Sequence, residues 1–343
     1  MDQTADLIKK LSSLGKTREF DVVSFGDASV GSLVKHHIPL CLPTLNAILG
    51  GGIPCGRIIE VYGLEGNGKS SLGAEILAAT QRLGGVALVI DSEKSFEPNR
   101  MEKMGVSKDK LVYTETNVIE DVFTIIDTAL ADATEKGHFL TIVWDSVAAG
   151  ITQKEKEAAF GSSVVADRAR LIYEGIRRIN NKIGEKSCLI LVNQVRSLIG
   201  NFYGKTTQST GGHAIRFFSS VRIEMYMIGK LKVGEKEIGI RTRAYTAKNK
   251  VHRPYLSSEF EIKFAGGLDD TGFMLELLLK SKLVNMAGGW CEYKNRKFRK
   301  ADFKEFLEGL QPEERKMLLD AALGSIDGGF KGAAISDESH LSE

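Results

Sequence analysis

The chain has 343 residues, 43% of them hydrophobic, so it is long and apolar enough to bury a substantial core and is predicted to be globular. A formal net charge of +2 is too small to indicate nucleic-acid binding by itself, and any such function must rest on local charge. The four cysteines show neither C-x-x-C pairing nor metal-ligand spacing, and no apolar run approaches the roughly 20 residues that span a bilayer. We therefore expect a cytoplasmic protein with reduced thiols and no membrane partner.

The N-terminal segment is predicted to lie apart from the core. Leu7 and Leu11 stand at helical spacing within residues 4–14, and a polar, Gly-containing stretch follows. We interpret residues 1–34 as an N-terminal helix and tether that form an oligomerisation arm.

From residue 35 to residue 269 the sequence alternates between apolar strands and helical segments. The clearest strands are RIIEVYG, VALVIDSE, FLTIVWDS and CLILVN, with helices predicted at SSLGAEILAATQRLG and around 119–135. Further strands are predicted at SVRIEMYMIG, RTRAYTAKN and EFEIKF. This alternation predicts an α/β core with a mostly parallel sheet between helices.

The turn AGGLDDTG at 265–272 interrupts that pattern. Apolar helical segments follow, so residues 270–330 are predicted to form a small C-terminal α+β domain. Residues 331–343 are small, polar and mildly acidic, which predicts a disordered tail.

The sequence GLEGNGKS fits the pattern G-x-x-x-x-G-K-[ST] between a predicted strand and a predicted helix. In that setting backbone N–H groups close around phosphates, the lysine reaches the β and γ oxygens, and the last hydroxyl ligates Mg²⁺. The predicted nucleotide contacts are Gly63, Leu64, Glu65, Gly66, Asn67, Gly68, Lys69 and Ser70.

Carboxylates follow two other predicted strands. Asp145 ends the apolar run of FLTIVWDS, where it can hold Mg²⁺ or its water ligands. Asp91 and Glu93 follow VALVI, and either one can orient an attacking water. The residues alone do not choose between these two carboxylates.

Several blocks in this order resemble the bacterial RecA recombinases, including phage-encoded members. They are GRIIEVYGLEGNGKS, IDSEKSFEPNRMEKMGV, VWDSVAAG, VNQVRSLIG, STGGHAIRFFSSVR, AKNK with a following Pro254, and AGGWCEYK. The resemblance implies a P-loop RecA-like core, ATP and Mg²⁺ as cofactors, and a DNA-dependent ATPase. It also implies a helical homo-oligomer on single-stranded DNA that pairs with double-stranded DNA and exchanges strands.

The same resemblance assigns roles around the nucleotide. Glu93 matches the residue that activates water, and Gln194 matches the residue that senses the γ-phosphate. Lys248 and Lys250 match cations that reach the neighbouring subunit's ATP, although a solvated pair at a strand end is the simpler interpretation of their spacing. Further nucleotide contacts are assigned to Ser71, Glu97, Arg100 and Asp145. Arg100 departs from the family pattern, because a tyrosine that stacks on adenine is usual at this position.

Two flexible DNA loops are implied, the first at FGSSVV (160–165) and the second after Arg196. The resemblance assigns DNA contacts to Arg170, Arg177, Arg196, Ile199, Gly211, Gly212 and His213. For Arg170 and Arg177, an exposed helix face without DNA is the alternative. The basic run KNRKFRK at 294–300 is interpreted as a contact for duplex DNA, with solvated surface as the alternative.

Two other functions compete with the recombinase. One is a ring-forming motor of the same fold, such as a replicative helicase, whose family normally carries an additional N-terminal helical domain. The other is a non-recombinogenic DNA-binding regulator that has lost catalysis. Retention of Lys69, Glu93, Asp145 and Gln194 favours an active ATPase over the regulator.

Overall fold

A computed structural model describes residues 9–10, 13, 34–95, 97–158, 165–197, 207–209 and 212–329. Within these ranges the side chains of 165–166, 196–197, 207–209, 212–213 and 327–329 are outside the description. The chain divides into two units, residues 1–35 and 36–343. Residues 9, 10 and 13 of the first unit are helical. The rest of the predicted N-terminal helix, and the predicted tail after residue 330, lie outside the described residues.

The larger unit contains the predicted alternation of strands and helices. Its first half comprises β1 (His37–Ile38), α1 (Pro43–Leu49), β2 (Ile53–Pro54), β3 (Arg57–Gly63), α2 (Lys69–Arg82), β4 (Val86–Asp91), α3 (Pro98–Lys103), β5 (Leu111–Glu115), α4 (Ile119–Lys136), β6 (Leu140–Asp145) and α5 (Gln153–Glu157). Then follow α6 (Val165–Lys182), β7 (Ser187–Ser197), β8 (Thr207–Ser209), α7 (Gly212–Phe218), β9 (Val221–Val233), β10 (Lys236–Asn249), β11 (Ser257–Lys263) and β12 (Leu268–Asp269).

The C-terminal part continues with α8 (Thr271–Lys280), β13 (Asn285–Ala287), β14 (Trp290–Tyr293), β15 (Arg296–Arg299), α9 (Phe303–Glu308) and α10 (Pro312–Gly329). The strands β13, β14 and β15 form a small antiparallel sheet. Phe298 of β15 stacks with Phe303 and Phe306 of α9, with the closest ring centroids 4.1 Å apart. The apolar helices that the sequence predicts here therefore pack with a three-stranded antiparallel sheet, in agreement with an α+β character.

The main sheet has the order β12-β11-β10-β9-β3-β7-β6-β4-β5. Strands β9, β3, β7, β6, β4 and β5 are parallel, whereas β10, β11 and β12 add antiparallel strands at one edge. The predicted α/β class with a mostly parallel sheet is thus confirmed. After β3 the chain crosses over β7 and β6 to form β4, and such a reversal in strand order opens a crevice at the carboxyl ends of the strands.

Buried side chains form one apolar layer on each face of the sheet. On one face Leu72 and Ile76 of α2 pack with Val61 and Ile190, in a cluster that continues into α1 and α8. On the other face helices α4, α6 and α7 cover Trp144 and its neighbours. Because residues of α8 and α10 belong to the first cluster, the apolar core is continuous past residue 270, and the domain boundary at 269/270 stays a prediction.

Helices α4 and α6 cross closely at Gly175. A β-carbon on Gly175 would lie 2.3 Å from the ring of Phe123. Gly175→Ala is therefore expected to lower the free energy of unfolding by about 1–3 kcal/mol, because the ring and both helices must shift.

The matched control is Gly324→Ala in α10, where a β-carbon meets no atom within 4 Å. Alanine favours the helix by about 1 kcal/mol over glycine, so this variant should be neutral or stabilised. Unfolding by denaturant measures the free energy of unfolding of both variants. Equal values for the two would contradict the close approach of α4 and α6 at Gly175.

Among the described residues, no helix is both long enough and apolar enough to cross a membrane.

Candidate functional site

The phosphate-loop motif occupies the turn between β3 and α2, as its spacing predicts. Gly68 precedes the helix with a positive φ of 88°, and a β-carbon there would lie 2.2 Å from Cδ1 of Ile262. Gly63 has a φ of 156°, and its β-carbon would lie 2.4 Å from the carbonyl oxygen of Met225. Both positions thus need glycine, since a side chain would collide with β11 or with β9.

The first turn of α2 presents backbone N–H groups to this loop. The first intrahelical hydrogen bond runs from the N–H of Leu72 to the carbonyl of Gly68. The N–H groups of Lys69, Ser70 and Ser71 precede it and have no acceptor within the helix. Such groups at a helix N-terminus form an anion site.

Lys69 is buried, and its Nζ donates to the carbonyl oxygen of Leu64 at 2.8 Å. Burial lowers the pKa of this ammonium, and the carboxylates of Asp145, Glu93 and Glu65 oppose the shift. A desolvated ammonium gains from a phosphate more than a hydrated one does, because the surrounding dielectric constant is lower.

Asp145 ends β6 and accepts a hydrogen bond from the hydroxyl of Ser70. Burial raises the pKa of its carboxyl, and the nearby carboxylates of Glu93 and Asp91 raise it further, whereas the hydrogen bond from Ser70 and the charge of Lys69 lower it. A divalent cation beside Asp145 would relieve this repulsion between carboxylates.

The donor set fits Mg²⁺, since a hydroxyl and a carboxylate stand side by side at the phosphate loop and Mg²⁺ prefers oxygen ligands with retained waters. Among the described residues, no group of three or more His, Cys, Asp or Glu side chains forms a metal site. A protein cage is not required for Mg²⁺ that is bound mainly through substrate phosphates.

Glu93 lies opposite the loop and is linked to two neighbouring strand ends. Its Oε1 accepts hydrogen bonds from Nε2 of Gln194, at 2.8 Å, and from the hydroxyl of Ser146. Asp91 is buried, and its Oδ1 accepts the N–H groups of Glu93 and Ser95. Both carboxylates line the cleft, but Asp91 accepts backbone N–H groups of its own turn, whereas Glu93 accepts side-chain donors from the ends of two other strands.

These groups line one cleft of about 650 Å³, a volume typical of small-molecule sites. Its lining includes the predicted Glu65, Gly66, Gly68, Lys69, Ser70, Ser71, Glu93, Glu97, Arg100, Asp145 and Gln194. Among the described residues that line the cleft, three residues of the motif are missing: Gly63, Leu64 and Asn67. Asn67 instead braces the turn, since its Nδ2 donates to the carbonyl of Met225 at 2.8 Å.

Glu97 and Arg100 reach the cleft from α3. The carboxylate of Glu97 caps this helix by accepting the N–H groups of Asn99 and Arg100, at 3.1 and 2.6 Å. Nη2 of Arg100 donates to Oγ of Ser71 at 3.2 Å.

The sequence interpretation missed the apolar end of the cleft. Phe264, which is 57% exposed, lines it beside Ile262, and Met101 and Met104 contribute from α3. An aromatic residue that ends the predicted strand EFEIKF was the available signal. Phe264 reaches the cleft because β11 pairs antiparallel with β10, and this pairing could not be predicted from the segment EFEIKF alone.

A buried polar network crosses the three adjacent strands β7, β3 and β9. Glu60 and Arg222 form a buried ion pair, and Nδ2 of Asn193 donates to the Glu60 carboxylate at 3.0 Å. The guanidinium of Arg222 lies 4.3 Å from the ring centroid of Tyr62. This network starts one residue before Gln194 and was not predicted from the sequence.

Lys248 and Lys250 do not line the cleft among the described residues. Nζ of Lys248 instead donates to the carbonyls of Arg216 and Phe217 at the end of α7, at 2.8 and 3.0 Å. Burial lowers the pKa of Lys248 to about 8, aided by the charges of Lys250 and Arg222. Lys250 is exposed.

The predicted DNA contacts are described only in part. Arg170 and Arg177 are exposed on α6, and Nε of Arg170 pairs with Glu174 at 3.2 Å. Arg196 is the second-last residue of β7 and Gly212 begins α7, but the side chains of Arg196 and His213 are outside the description. Ile199, Gly211 and residues 160–164 of the first predicted DNA loop lie outside the described residues.

The basic run 294–300 supplies the turn and the second strand of the hairpin formed by β14 and β15. Lys294 and Asn295 occupy its two-residue turn with positive φ angles of 45° and 65°. Lys294 and Arg296 both pair with Glu314 at 3.2 Å, and Arg299 lies over the ring of Trp290. Part of the charge is therefore already paired within the chain.

Comparison with known proteins gives a consistent result. A model of the RecA N-terminal domain family matches residues 14–269. "Protein RecA" of Rippkaea orientalis is 39% identical over 252 residues, which cover 73% of this chain and 71% of that protein. "Protein RecA" of Gloeobacter violaceus is 34% identical over 297 residues, 84% of this chain and 79% of the relative. That of Chlorobium limicola is 35% identical over 274 residues, 79% and 77% of the two chains.

The matched region spans the phosphate loop, the strand ends that carry Glu93, Asp145 and Gln194, and the antiparallel edge of the sheet. The family model covers well over half of the chain, and the relatives match most of their own length. This chain belongs to the RecA family.

Proposed function

We propose that this protein is a DNA-dependent ATPase that polymerises on single-stranded DNA as a helical filament and catalyses homologous pairing and strand exchange. The observation that carries the proposal is the meeting of Lys69, Ser70, Glu93, Asp145 and Gln194 in one cleft, on a chain of the RecA family. The strand that bears Gln194 continues toward the predicted DNA loop.

Within the cleft the residues have distinct tasks. The N–H groups at the start of α2 and the ammonium of Lys69 bind the phosphates of ATP, and Ser70 with Asp145 holds Mg²⁺. Mg²⁺ supplies positive charge that stabilises the phosphate oxygens during transfer. Glu93 accepts the proton of the attacking water, and its hydrogen bonds from Ser146 and Gln194 fix the direction of its carboxylate.

Gln194 is the proposed link between nucleotide and DNA. Its side-chain amide donates to Glu93, and a γ-phosphate in the cleft offers a competing acceptor. A change of acceptor would shift the end of β7, which leads through residues 198–206 to β8 and α7. Nucleotide binding thereby biases the order of the segment that contacts DNA, and the coupling is reciprocal.

Lys248 and Lys250 are proposed to act on the ATP of the neighbouring subunit. Their position outside the chain's own cleft supports an action in trans. Arg170, Arg177 and Arg196 are proposed to contact the DNA backbone, with Ile199 between base steps and the amides of Gly211, Gly212 and His213 on a phosphate. The hairpin at 294–300 is the proposed contact for duplex DNA.

The proposal is tested by ATP turnover and strand exchange with purified protein. We expect turnover to rise on addition of single-stranded DNA, and a homologous duplex to yield exchanged product only when ATP is present. A heterologous duplex is the control. ATP turnover that is the same with and without DNA would contradict the proposal. Unwinding of a duplex without homologous pairing would contradict it as well and would favour a motor.

A further inference from the structure

Arg100 lines the cleft and contacts the start of α2. Its guanidinium reaches the first turn of α2, where Nη2 donates to Oγ of Ser71 at 3.2 Å. Ser71 is 3% exposed, and its N–H is among those that precede the first intrahelical hydrogen bond. The cationic end of Arg100 is therefore anchored beside the anion-binding end of the helix.

The charge balance of the cleft gives this position a consequence. Among the described lining residues, five carry carboxylates and three carry cations: Glu65, Asp91, Glu93, Glu97 and Asp145 against Lys69, Arg100 and Lys263. A polyphosphate entering such a lining meets more negative than positive side chains, so each cation near the phosphates contributes strongly.

The three cations are not equivalent. Lys69 belongs to the phosphate loop, whereas Lys263 already lies 3.7 Å from Asp269. No ion pair among the described residues involves Arg100, since the nearby Glu97 carboxylate caps α3. The guanidinium keeps further N–H donors beyond the one that Ser71 accepts, in a planar fork that suits phosphate oxygens.

We propose that Arg100 binds the phosphates of the nucleotide at the α-phosphate end of the site, and that the protein consequently discriminates weakly between adenine and guanine nucleotides. This inference rests on the proposed function, because it assumes that the cleft binds a nucleoside polyphosphate. In a phosphate loop of this pattern the backbone N–H groups cradle the α- and β-phosphates while the lysine reaches the β- and γ-phosphates. Ser71 holds the guanidinium at the start of α2, beside those N–H groups.

Weak base selectivity follows from where the remaining contacts lie. With Arg100 committed to phosphate, the one aromatic ring among the described lining residues is that of Phe264. A ring accepts the face of any purine, so stacking alone does not distinguish adenine from guanine.

Equilibrium binding to the full-length protein with Mg²⁺ tests the inference. The probes are ADP, GDP and adenosine, with adenosine measured by competition against a fluorescent ADP. Arg100→Ala should weaken the binding of ADP and of GDP by the same factor, about tenfold or more, because a charge-assisted hydrogen bond is lost. The affinity for adenosine, which has no phosphate, should change less than about twofold. Arg100→Lys should recover most of the loss, because it keeps the charge without a planar face for stacking.

The control is Lys103→Ala, which removes a cation from the same helix but outside the cleft lining, and it should leave all three affinities unchanged. Thermal unfolding of each variant establishes that it is folded. In the wild type, raising the salt concentration should weaken ADP binding more than in Arg100→Ala.

Four results would overturn the inference: a loss of affinity for ADP without a loss for GDP, an equal loss for adenosine, no loss for either diphosphate, or a wild-type affinity for ADP more than about tenfold above that for GDP. The first two would place Arg100 on the base. The proposed function fails differently. If the wild-type protein binds neither diphosphate, or if Lys69→Ala binds both with wild-type affinity, then the assignment of the cleft as a nucleotide site is wrong.

Discussion

Lys69→Ala is expected to reduce ATP turnover at least about 10³-fold, with or without DNA, because the buried ammonium stabilises charge that develops on the transferred phosphoryl group. No other lysine on α2 can replace it, since Lys69 is the only lysine in the helix. Its Nζ already lies inside the loop, bonded to the carbonyl of Leu64. Steady-state hydrolysis assays measure the effect.

Lys110→Ala is the matched control, because Lys110 is exposed and outside the cleft lining. Its turnover should equal that of the wild type. Thermal unfolding separates a loss of catalysis from a loss of fold, because leaving Asp145 and Glu93 without a cation also changes the repulsion in the cleft. Normal turnover in folded Lys69→Ala would mean that the cleft does not hydrolyse ATP.

The double variant Lys248→Ala, Lys250→Ala should lose DNA-stimulated turnover by about 10³-fold or more, which is the range for a cation supplied by a neighbouring subunit. Nucleotide binding by single subunits should persist, since neither side chain lines the chain's own cleft. Nucleotide binding and DNA-stimulated hydrolysis are measured separately. Because Lys248 also donates to carbonyls at the end of α7, thermal unfolding of the variant is measured in parallel.

Mixing the two inactive proteins distinguishes action in trans from action in cis. In a head-to-tail polymer, a double-variant cleft can receive lysines from a Lys69→Ala neighbour. An equimolar random mixture should then regain about a quarter of wild-type DNA-stimulated turnover, because half of the clefts are intact and half of their neighbours carry both lysines. A mixture that remains inactive, although both variants are found in the same filaments on DNA, would contradict the proposed action in trans.

The sequence predicted the sheet, the phosphate loop and the strand-end carboxylates because each leaves a local pattern. β3, β4, β6 and β7 are apolar runs that end in functional residues, and parallel strands place those ends at one edge. The family resemblance supplied the choice of Glu93 over Asp91, and the described geometry supports the same choice through the hydrogen bond from Gln194.

Other features depend on distant residues and were not readable in this way. Phe264 reaches the cleft only because β11 pairs antiparallel with β10. The ion pair of Glu60 and Arg222 joins strands 162 residues apart in sequence, so neither residue signals its partner. Similarly, the resemblance assigned Arg100 to the nucleotide, but its hydrogen bond to Ser71 depends on the placement of α3 beside α2 and was not predicted.

Electron microscopy of the protein with single-stranded DNA and a non-hydrolysable ATP analogue tests the central claim most directly. Wild-type protein is predicted to form long helical filaments on DNA that require the nucleotide, with samples lacking either component as controls. Closed rings, or the absence of polymer from a folded protein that binds the nucleotide, would contradict the recombinase account.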